Sequence, residues 1–299
     1  MPPLTLATIK RATEGLAAAR SIPLQLTKRE ALENAGKIAR HEIDRKVNGE
    51  LRRLIVRTFI HALFEVKVEY PERIPQFPAI LAPNHLSHFD PLLILAEVPA
   101  RPFYYILGDS RSLYNKRWKR LLLRLSQDTI PLDRLWKEEV AVMEGAKCDR
   151  PDLTELANAI AQNVPTGNSI EALRRLDTII QDILAAGDGI VIFPEGRLGN
   201  REGELRLPFK RGTVIYALRG GVPIVPVAII GTQDLYLRKQ LTLRFGKPLI
   251  FPQSKRPKPQ EVQTALDTLQ AALMDLLPKN YQEPNGLKIG RHFLNHLLW

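Results

Sequence analysis

Residues 78–91 read PAILAPNHLSHFDP, a short apolar run, a polar loop and the start of a helix. The run at 78–82 is followed by a proline and an asparagine, a pattern typical of a buried strand. Asp90 and Pro91 predict that a helix follows, because Asp is a favoured N-cap and Pro a favoured first helical residue. This order indicates an α/β fold, in which the loop lies at the carboxyl end of a strand, where open sheets bind ligands.

The same alternation continues along the chain. We predict an α/β domain over 70–299, with a mixed central sheet flanked by helices. The predicted strands are 78–82, 103–107, 189–193, 224–230 and 241–245. The predicted helices are 91–97, 116–126, 169–186, 212–219 and a C-terminal helix at about 260–277. Residues 135–168 have weak periodicity and are interpreted as an insertion without assigned chemistry.

Residues 1–69 are predicted to be a helical region that is a candidate for membrane association. Apolar residues recur at helical spacing over 51–64, with Arg52, Arg53 and Arg57 between them. Such a segment could pack on the main domain with a solvated basic face, or it could lie on a lipid surface. A similar mixture of basic, aromatic and apolar residues occupies 111–125, and the same two interpretations stay open there.

The chain has 299 residues, 44% of them hydrophobic, which is enough for a sizeable core. Its net charge of +11 favours anionic lipid surfaces, nucleic acid or phosphate-bearing substrates, and no nucleic-acid motif is recognisable. The single cysteine, Cys148, excludes an intramolecular disulfide. No signal peptide and no apolar run of roughly 18 residues are visible, so we expect a cytoplasmic protein that is peripheral on the inner face of a membrane.

His85 and Asp90 are the candidate catalytic residues. An imidazole titrates near neutral pH, and a carboxylate partner would fix its tautomer, so the pair could remove a proton from an alcohol. Asp90 could instead serve only as a helix cap. His85, His88 and Asp90 could also be metal ligands, although nothing nearby supplies a further ligand.

A second polar segment, 193–197, reads FPEGR and follows the predicted strand 189–193. It would therefore reach the same edge of the sheet as His85. Arg197 beside a glycine turn could bind an anion. The alternative is a surface ion pair between Glu195 and Arg197 on an ordinary turn.

With these segments the chain resembles the glycerolipid acyltransferases of the lysophosphatidate and glycerol-phosphate acyltransferase type. The first family signature, Asn-His-x-Ser-x-x-Asp, matches residues 84–90. The other three match residues 130–134, 193–197 and 222–226, in family order, and 203–205 and 208–212 match the stretch after the third. The resemblance covers roughly 70–250. Many members have a Thr between Gly and Arg in the third signature, whereas Arg197 follows Gly196 directly, so either Arg197 or Arg201 could meet the phosphate.

The resemblance implies an acyl transfer without a metal or a resident cofactor. His85 would be the general base and Asp90 would orient it. The acyl donor would be acyl-CoA or acyl carrier protein, and the acceptor 1-acylglycerol-3-phosphate, with glycerol 3-phosphate or another lysolipid as alternatives. A non-catalytic membrane-binding protein of the same fold is the rival from another class. The substrate's phosphate and glycerol oxygens would be held by Arg134, Glu195, Gly196, Arg197 and Lys210.

Overall fold

A computed structural model describes residues 4–148, 150–167 and 169–298. The chain forms two compact units. The smaller unit contains the described residues of Met1–Lys37 and Gly108–Ile179, and the larger unit those of Ile38–Leu107 and Ile180–Trp299. The domain boundary after residue 69 stays a prediction.

Helices and strands are mixed along the chain. The strands are β1 (Glu65–Glu69), β2 (Ile80–Pro83), β3 (Tyr104–Asp109), β4 (Thr129–Leu132), β5 (Gly189–Val191), β6 (Ile224–Ile230) and β7 (Gln240–Phe245). The helices are α1 (Leu6–Ala19), α2 (Ile22–Ala39), α3 (Gly49–Leu63), α4 (Asp90–Glu97), α5 (Ser110–Leu113), α6 (Arg117–Ser126), α7 (Lys137–Cys148), α8 (Thr154–Asn163), α9 (Ile170–Ala185), α10 (Gly212–Gly220), α11 (Pro259–Leu276) and α12 (Arg291–Leu297).

A mixed sheet forms the centre of the larger unit. Its strand order is β1-β7-β6-β2-β5-β3, and every neighbouring pair is parallel except β6 with β7. Strands β2 and β6 are buried along their whole length, as expected for central strands covered on both faces. Helix α4 packs on α3, and α11 packs on β6. The prediction of an α/β fold with a mixed, helix-flanked sheet is confirmed.

The predicted helical character of residues 65–69 is wrong. These residues form β1, which pairs in parallel with β7 from Glu65 opposite Gln240 to Glu69 opposite Arg244. Their sequence, EVKVE, alternates polar and apolar residues with the period of a strand. Helix α3 ends at Leu63, and the chain becomes extended at Phe64.

The smaller unit has its own apolar core. Ala12 of α1, Val142 of α7 and Ile160 of α8 are fully buried there. Most of the predicted insertion 135–168 is helical and contains α7 and α8; its last residue, Asn168, lies outside the described residues. Within the described part of the chain, no helix is both long and apolar enough to span a bilayer.

Candidate active site

The loop after β2 holds His85 beside Asp90. His85 Nδ1 lies 2.9 Å from Asp90 Oδ2. The same carboxylate oxygen accepts the backbone N–H groups of Leu86 at 2.6 Å and Ser87 at 2.8 Å. Asp90 is fully buried, so this carboxylate is shielded from water. Its Oδ2 is held by the loop, whereas its Oδ1 is buried without a hydrogen-bond partner among the described residues.

Asp90 is not the cap of α4. It is the first helical residue, Phe89 occupies the N-cap position without a side-chain cap bond, and the carboxylate turns back to residues that precede the helix. The Asp-Pro pair thus marks the helix start correctly, whereas the aspartate side chain serves the loop.

Neighbouring side chains restrict the His85 ring. It stacks on Phe193, the first residue of the FPEGR segment, with ring centroids 4.0 Å apart. The side chain of His85 is 16% exposed. Because Nδ1 faces Asp90, Nε2 is the ring nitrogen that can meet a substrate hydroxyl.

Asn84 attaches the loop to the sheet. Its Nδ2 donates to the carbonyl of Ile229 at 2.9 Å, and its Oδ1 accepts the N–H of Ile229 at 2.7 Å. The side-chain amide of Asn84, which is buried, therefore pairs with a backbone amide of β6, and the base of the loop is fixed relative to the sheet.

Glu195 is bound to the backbone of the same loop. Its Oε1 accepts the N–H of His85 at 2.9 Å, and its Oε2 accepts the N–H of Arg206 at 2.8 Å. Burial raises the pKa of this carboxyl, although the two backbone bonds oppose the shift. The residue is only 2% exposed. The structure thus brings the second segment to His85 through a carboxylate whose two oxygens are both used by backbone amides.

Gly196 lies on this turn, and Lys210 lies against it. Gly196 has φ of +66°, a conformation that glycine adopts without strain. A Cβ atom there would come within 2.9 Å of Lys210 Cγ. Lys210 donates its backbone N–H to the carbonyl of Pro194 at 2.7 Å. Arg197 follows and is exposed, so the turn presents two cationic side chains at the surface.

Arg134 lies in the smaller unit. Its Nε donates to Asp109 Oδ2 at 2.9 Å, and its side chain is 42% exposed. Asp109 also accepts the indole N–H of Trp136 at 2.6 Å. The Arg134 carbonyl accepts Arg111 Nη2 at 2.5 Å. These contacts set the orientation of the guanidinium within that unit.

A cavity of about 890 Å³ adjoins the loop. Ser87, His88 and Phe89 line it on the side of the loop. The C-terminal segment 281–298 supplies much of the remaining lining, including Tyr281, Glu283, Arg291, His292, Leu294, Asn295, His296 and Leu298. Sequence reasoning missed this segment, since a seven-residue helix with few periodic positions gives little signal. Among the described residues, no group of three or more His, Cys, Asp or Glu side chains has the arrangement of a metal site.

The structure thus places a His–Asp pair after β2 and an arginine-bearing glycine turn after β5, which is a neighbour of β2 in the sheet, at the positions of the first and third acyltransferase signatures. The family model described as Acyltransferase matches residues 65–230. The chain therefore belongs to the acyltransferase family, and the resemblance noted in its signatures is confirmed.

Similar proteins carry more specific names. The 1-acyl-sn-glycerol-3-phosphate acyltransferase alpha of Ovis aries is 34% identical over 77 residues, 26% of either chain, and that of Homo sapiens has the same identity and coverage. A putative 1-acyl-sn-glycerol-3-phosphate acyltransferase of Caenorhabditis elegans is 35% identical over 80 residues, 27% of this chain and 30% of that protein. The matches thus span only about a quarter to a third of these relatives. Among solved structures, PlsC, the LPA acyltransferase of Thermotoga maritima, aligns with a TM-score of 0.44 and 19% identity over 86% of this chain and 98% of that one.

Proposed function

We propose that this protein is an O-acyltransferase that moves a fatty acyl group from an acyl thioester to a glycerol-phosphate acceptor. The acceptor would be 1-acylglycerol-3-phosphate and the product phosphatidate, as in the names of the relatives. The donor would be acyl-CoA or acyl carrier protein. The observation that carries the proposal is the buried carboxylate of Asp90 at 2.9 Å from Nδ1 of His85.

The proposed reaction is a direct transfer. Nε2 of His85 takes the proton of the acceptor hydroxyl while the hydroxyl oxygen attacks the thioester carbonyl carbon. The carbon–sulfur bond then breaks, the acyl group forms an ester with the acceptor, and the imidazolium returns its proton to the leaving thiolate. Asp90 holds the tautomer and stabilises the imidazolium, which is the usual function of a carboxylate behind a catalytic histidine.

Cationic side chains support a phosphate-bearing acceptor. Arg197 lies on the turn that Glu195 connects to His85, and Lys210 is hydrogen-bonded to that turn. Guanidinium groups bind phosphate through paired N–H donors. Arg134 is proposed as a further phosphate ligand, on the basis of the second signature alone.

The proposal is tested by offering the purified protein glycerol 3-phosphate, lysophosphatidate and neutral lysolipids with both donor types and identifying the products by mass. His85→Ala should lower the rate of thiol release by about 10²–10⁴-fold, the contribution of a positioned base. His41→Ala, a change at an exposed histidine outside the loop, should leave the rate unchanged. An unchanged rate in His85→Ala would remove His85 as the base.

Two further measurements separate the alternatives. Absence of thiol release with every acceptor, together with intact vesicle binding, would favour a non-catalytic membrane-binding protein. A chelator should leave the rate unchanged, because base catalysis by His85 needs no metal; loss of activity that zinc restores would favour the metal alternative with His88 as a ligand.

A further inference from the structure

Helix α6 has an inverted pattern of burial. Trp118, Leu121, Leu122 and Leu125 are exposed by 42%, 62%, 56% and 45%, whereas Lys119 is only 8% exposed. The Lys119 ammonium group donates to the carbonyl of Ser112 at 3.4 Å. An ordinary surface helix buries its leucines and exposes its lysines. The sequence establishes that α6 is amphipathic, and the structure shows that its apolar side faces outward.

The four exposed residues form one continuous stripe. Their spacing of three, one and three residues places them within about a third of the circumference of a helix with 3.6 residues per turn. The stripe is two turns long and ends in a tryptophan. A contiguous exposed apolar face of this kind marks an interaction surface.

The charges beside the stripe indicate what it contacts. Arg117, Arg120 and Arg124, three or four residues apart, lie along one flank of the stripe. Arg117 is exposed; Arg120 donates to the carbonyl of Tyr114 at 3.0 Å, and Arg124 pairs with Glu30 at 2.8 Å. The helix itself contains no acidic residue. An apolar stripe with Trp at one end and arginines along its side matches the boundary between lipid headgroups and acyl chains.

We propose that the exposed stripe of α6 inserts into the surface of an anionic bilayer, with its arginines among the headgroups. This inference names the contact surface for the peripheral membrane association expected from the sequence, but membrane binding through α6 does not depend on the chemistry of His85. The two can therefore fail separately.

The test is co-sedimentation of the full chain with vesicles of phosphatidylglycerol and phosphatidylcholine. The variant Leu121→Glu/Leu125→Glu is compared with Ile170→Glu/Leu173→Glu, which changes two residues of α9 in the same unit with exposures of 67% and 47%. We expect at least a tenfold weaker vesicle affinity for the α6 variant and little change for the α9 variant, because the added charge is equal and only one pair enters the bilayer.

A second pair of variants tests the arginines. Arg117→Ala should weaken binding to anionic vesicles severalfold, whereas Arg174→Ala, the same change at an exposed residue of α9, should not. Circular dichroism should show that every variant is folded like the unchanged protein. Acyl transfer to a short-chain lysolipid dispersed without vesicles should be the same in the α6 variant, which distinguishes lost docking from lost chemistry.

Undiminished vesicle binding in Leu121→Glu/Leu125→Glu would overturn the proposal, as would an equal loss in the α9 variant. If sedimentation shows that the α6 variant loses only self-association, the stripe is an interface with a second copy of the chain. That result would also overturn the proposal. If no acceptor is acylated but the α6 variant alone loses vesicle binding, the membrane surface stands and the proposed reaction fails.

Discussion

The contacts of Glu195 differ from the acceptor binding that its motif implies. By resemblance it would bind the acceptor, yet both carboxylate oxygens accept backbone N–H groups, from His85 at 2.9 Å and from Arg206 at 2.8 Å. A buried anion beside a bound phosphate would be repelled by it. We infer that Glu195 is a positioning residue that holds the loop of His85 against the FPEGR turn.

Glu195→Gln should lower kcat more than it raises KM for the acceptor. The glutamine amide can accept only one of the two backbone N–H groups with its oxygen, and its NH₂ faces the other, which is left without an acceptor at a cost of about 1–3 kcal/mol. Steady-state kinetics and denaturant unfolding measure both effects. Glu204→Gln, at a side chain that is 62% exposed, is the matched control. A selective rise in KM would instead support direct contact with the acceptor.

The ionisation of Glu195 should also change the unfolding free energy with pH in a definite direction. Burial raises its pKa above the usual 4.5, so the folded protein holds this proton more tightly than the unfolded chain. The contribution of Glu195 to the unfolding free energy is therefore greatest below pH 4.5 and is lost as the pH rises through the raised value. This part of the pH dependence should be absent in Glu195→Gln and present in Glu204→Gln.

At the scale of elements, ion pairs attach the C-terminal segment to the loop before β7. Lys239, whose side chain is fully buried, donates to Glu283 Oε2 at 2.8 Å and to the carbonyl of Asp234 at 2.9 Å. Asp234 in turn pairs with Lys288 and Arg291, each at 2.7 Å. Because this segment lines the cavity beside the loop of His85, its attachment sets the shape of that cavity.

Glu283→Ala should destabilise the protein by about 3 kcal/mol, since it removes the carboxylate that compensates a buried ammonium. This is the lower end of the range for a buried pair, because Glu283 itself is 30% exposed. Glu65→Ala removes one partner of an exposed pair with Arg238 and should change stability by less than about 1 kcal/mol. Denaturant unfolding compares the two. Equal effects would show that the buried pair contributes no more than a surface pair.

The same network predicts a loss of stability in acid. Burial by itself would raise the pKa of Glu283, but its bond with Lys239 and the neighbouring charges hold the pKa below the usual 4.5. The stabilisation is therefore complete above pH 4.5 and declines as the pH falls through the lowered value. That decline should be smaller in Glu283→Ala than in Glu65→Ala.

For the whole molecule, the net charge of +11 should govern the proposed association with a membrane. Binding to anionic vesicles should weaken strongly between about 0.1 M and 1 M salt, over which the screening length falls from about 10 Å to about 3 Å. Binding to vesicles of phosphatidylcholine alone should be weak at either concentration. Equally tight binding to neutral vesicles, insensitive to salt, would show that apolar contact dominates over charge.

Local patterns in the sequence were sufficient for most of the architecture. The strands at 224–230 and 241–245 and the helices around α4, α6, α9, α10 and α11 were all predicted close to their observed bounds. The Asp-Pro pair marked the start of α4, and two strand ends identified the loops of the candidate site. These features depend on neighbours a few residues apart, so the sequence by itself determines them.

Only the tertiary structure decided which groups each side chain meets. It attached Glu195 to the backbone of His85, placed the C-terminal segment on the cavity, and turned the leucines of α6 outward with Lys119 inward. It also paired residues 65–69 with β7; their alternating sequence fits a strand, but the sequence does not show which strand they join. A sequence period shows that a helix has an apolar face, but whether that face is buried depends on residues far along the chain that pack against it or leave it exposed.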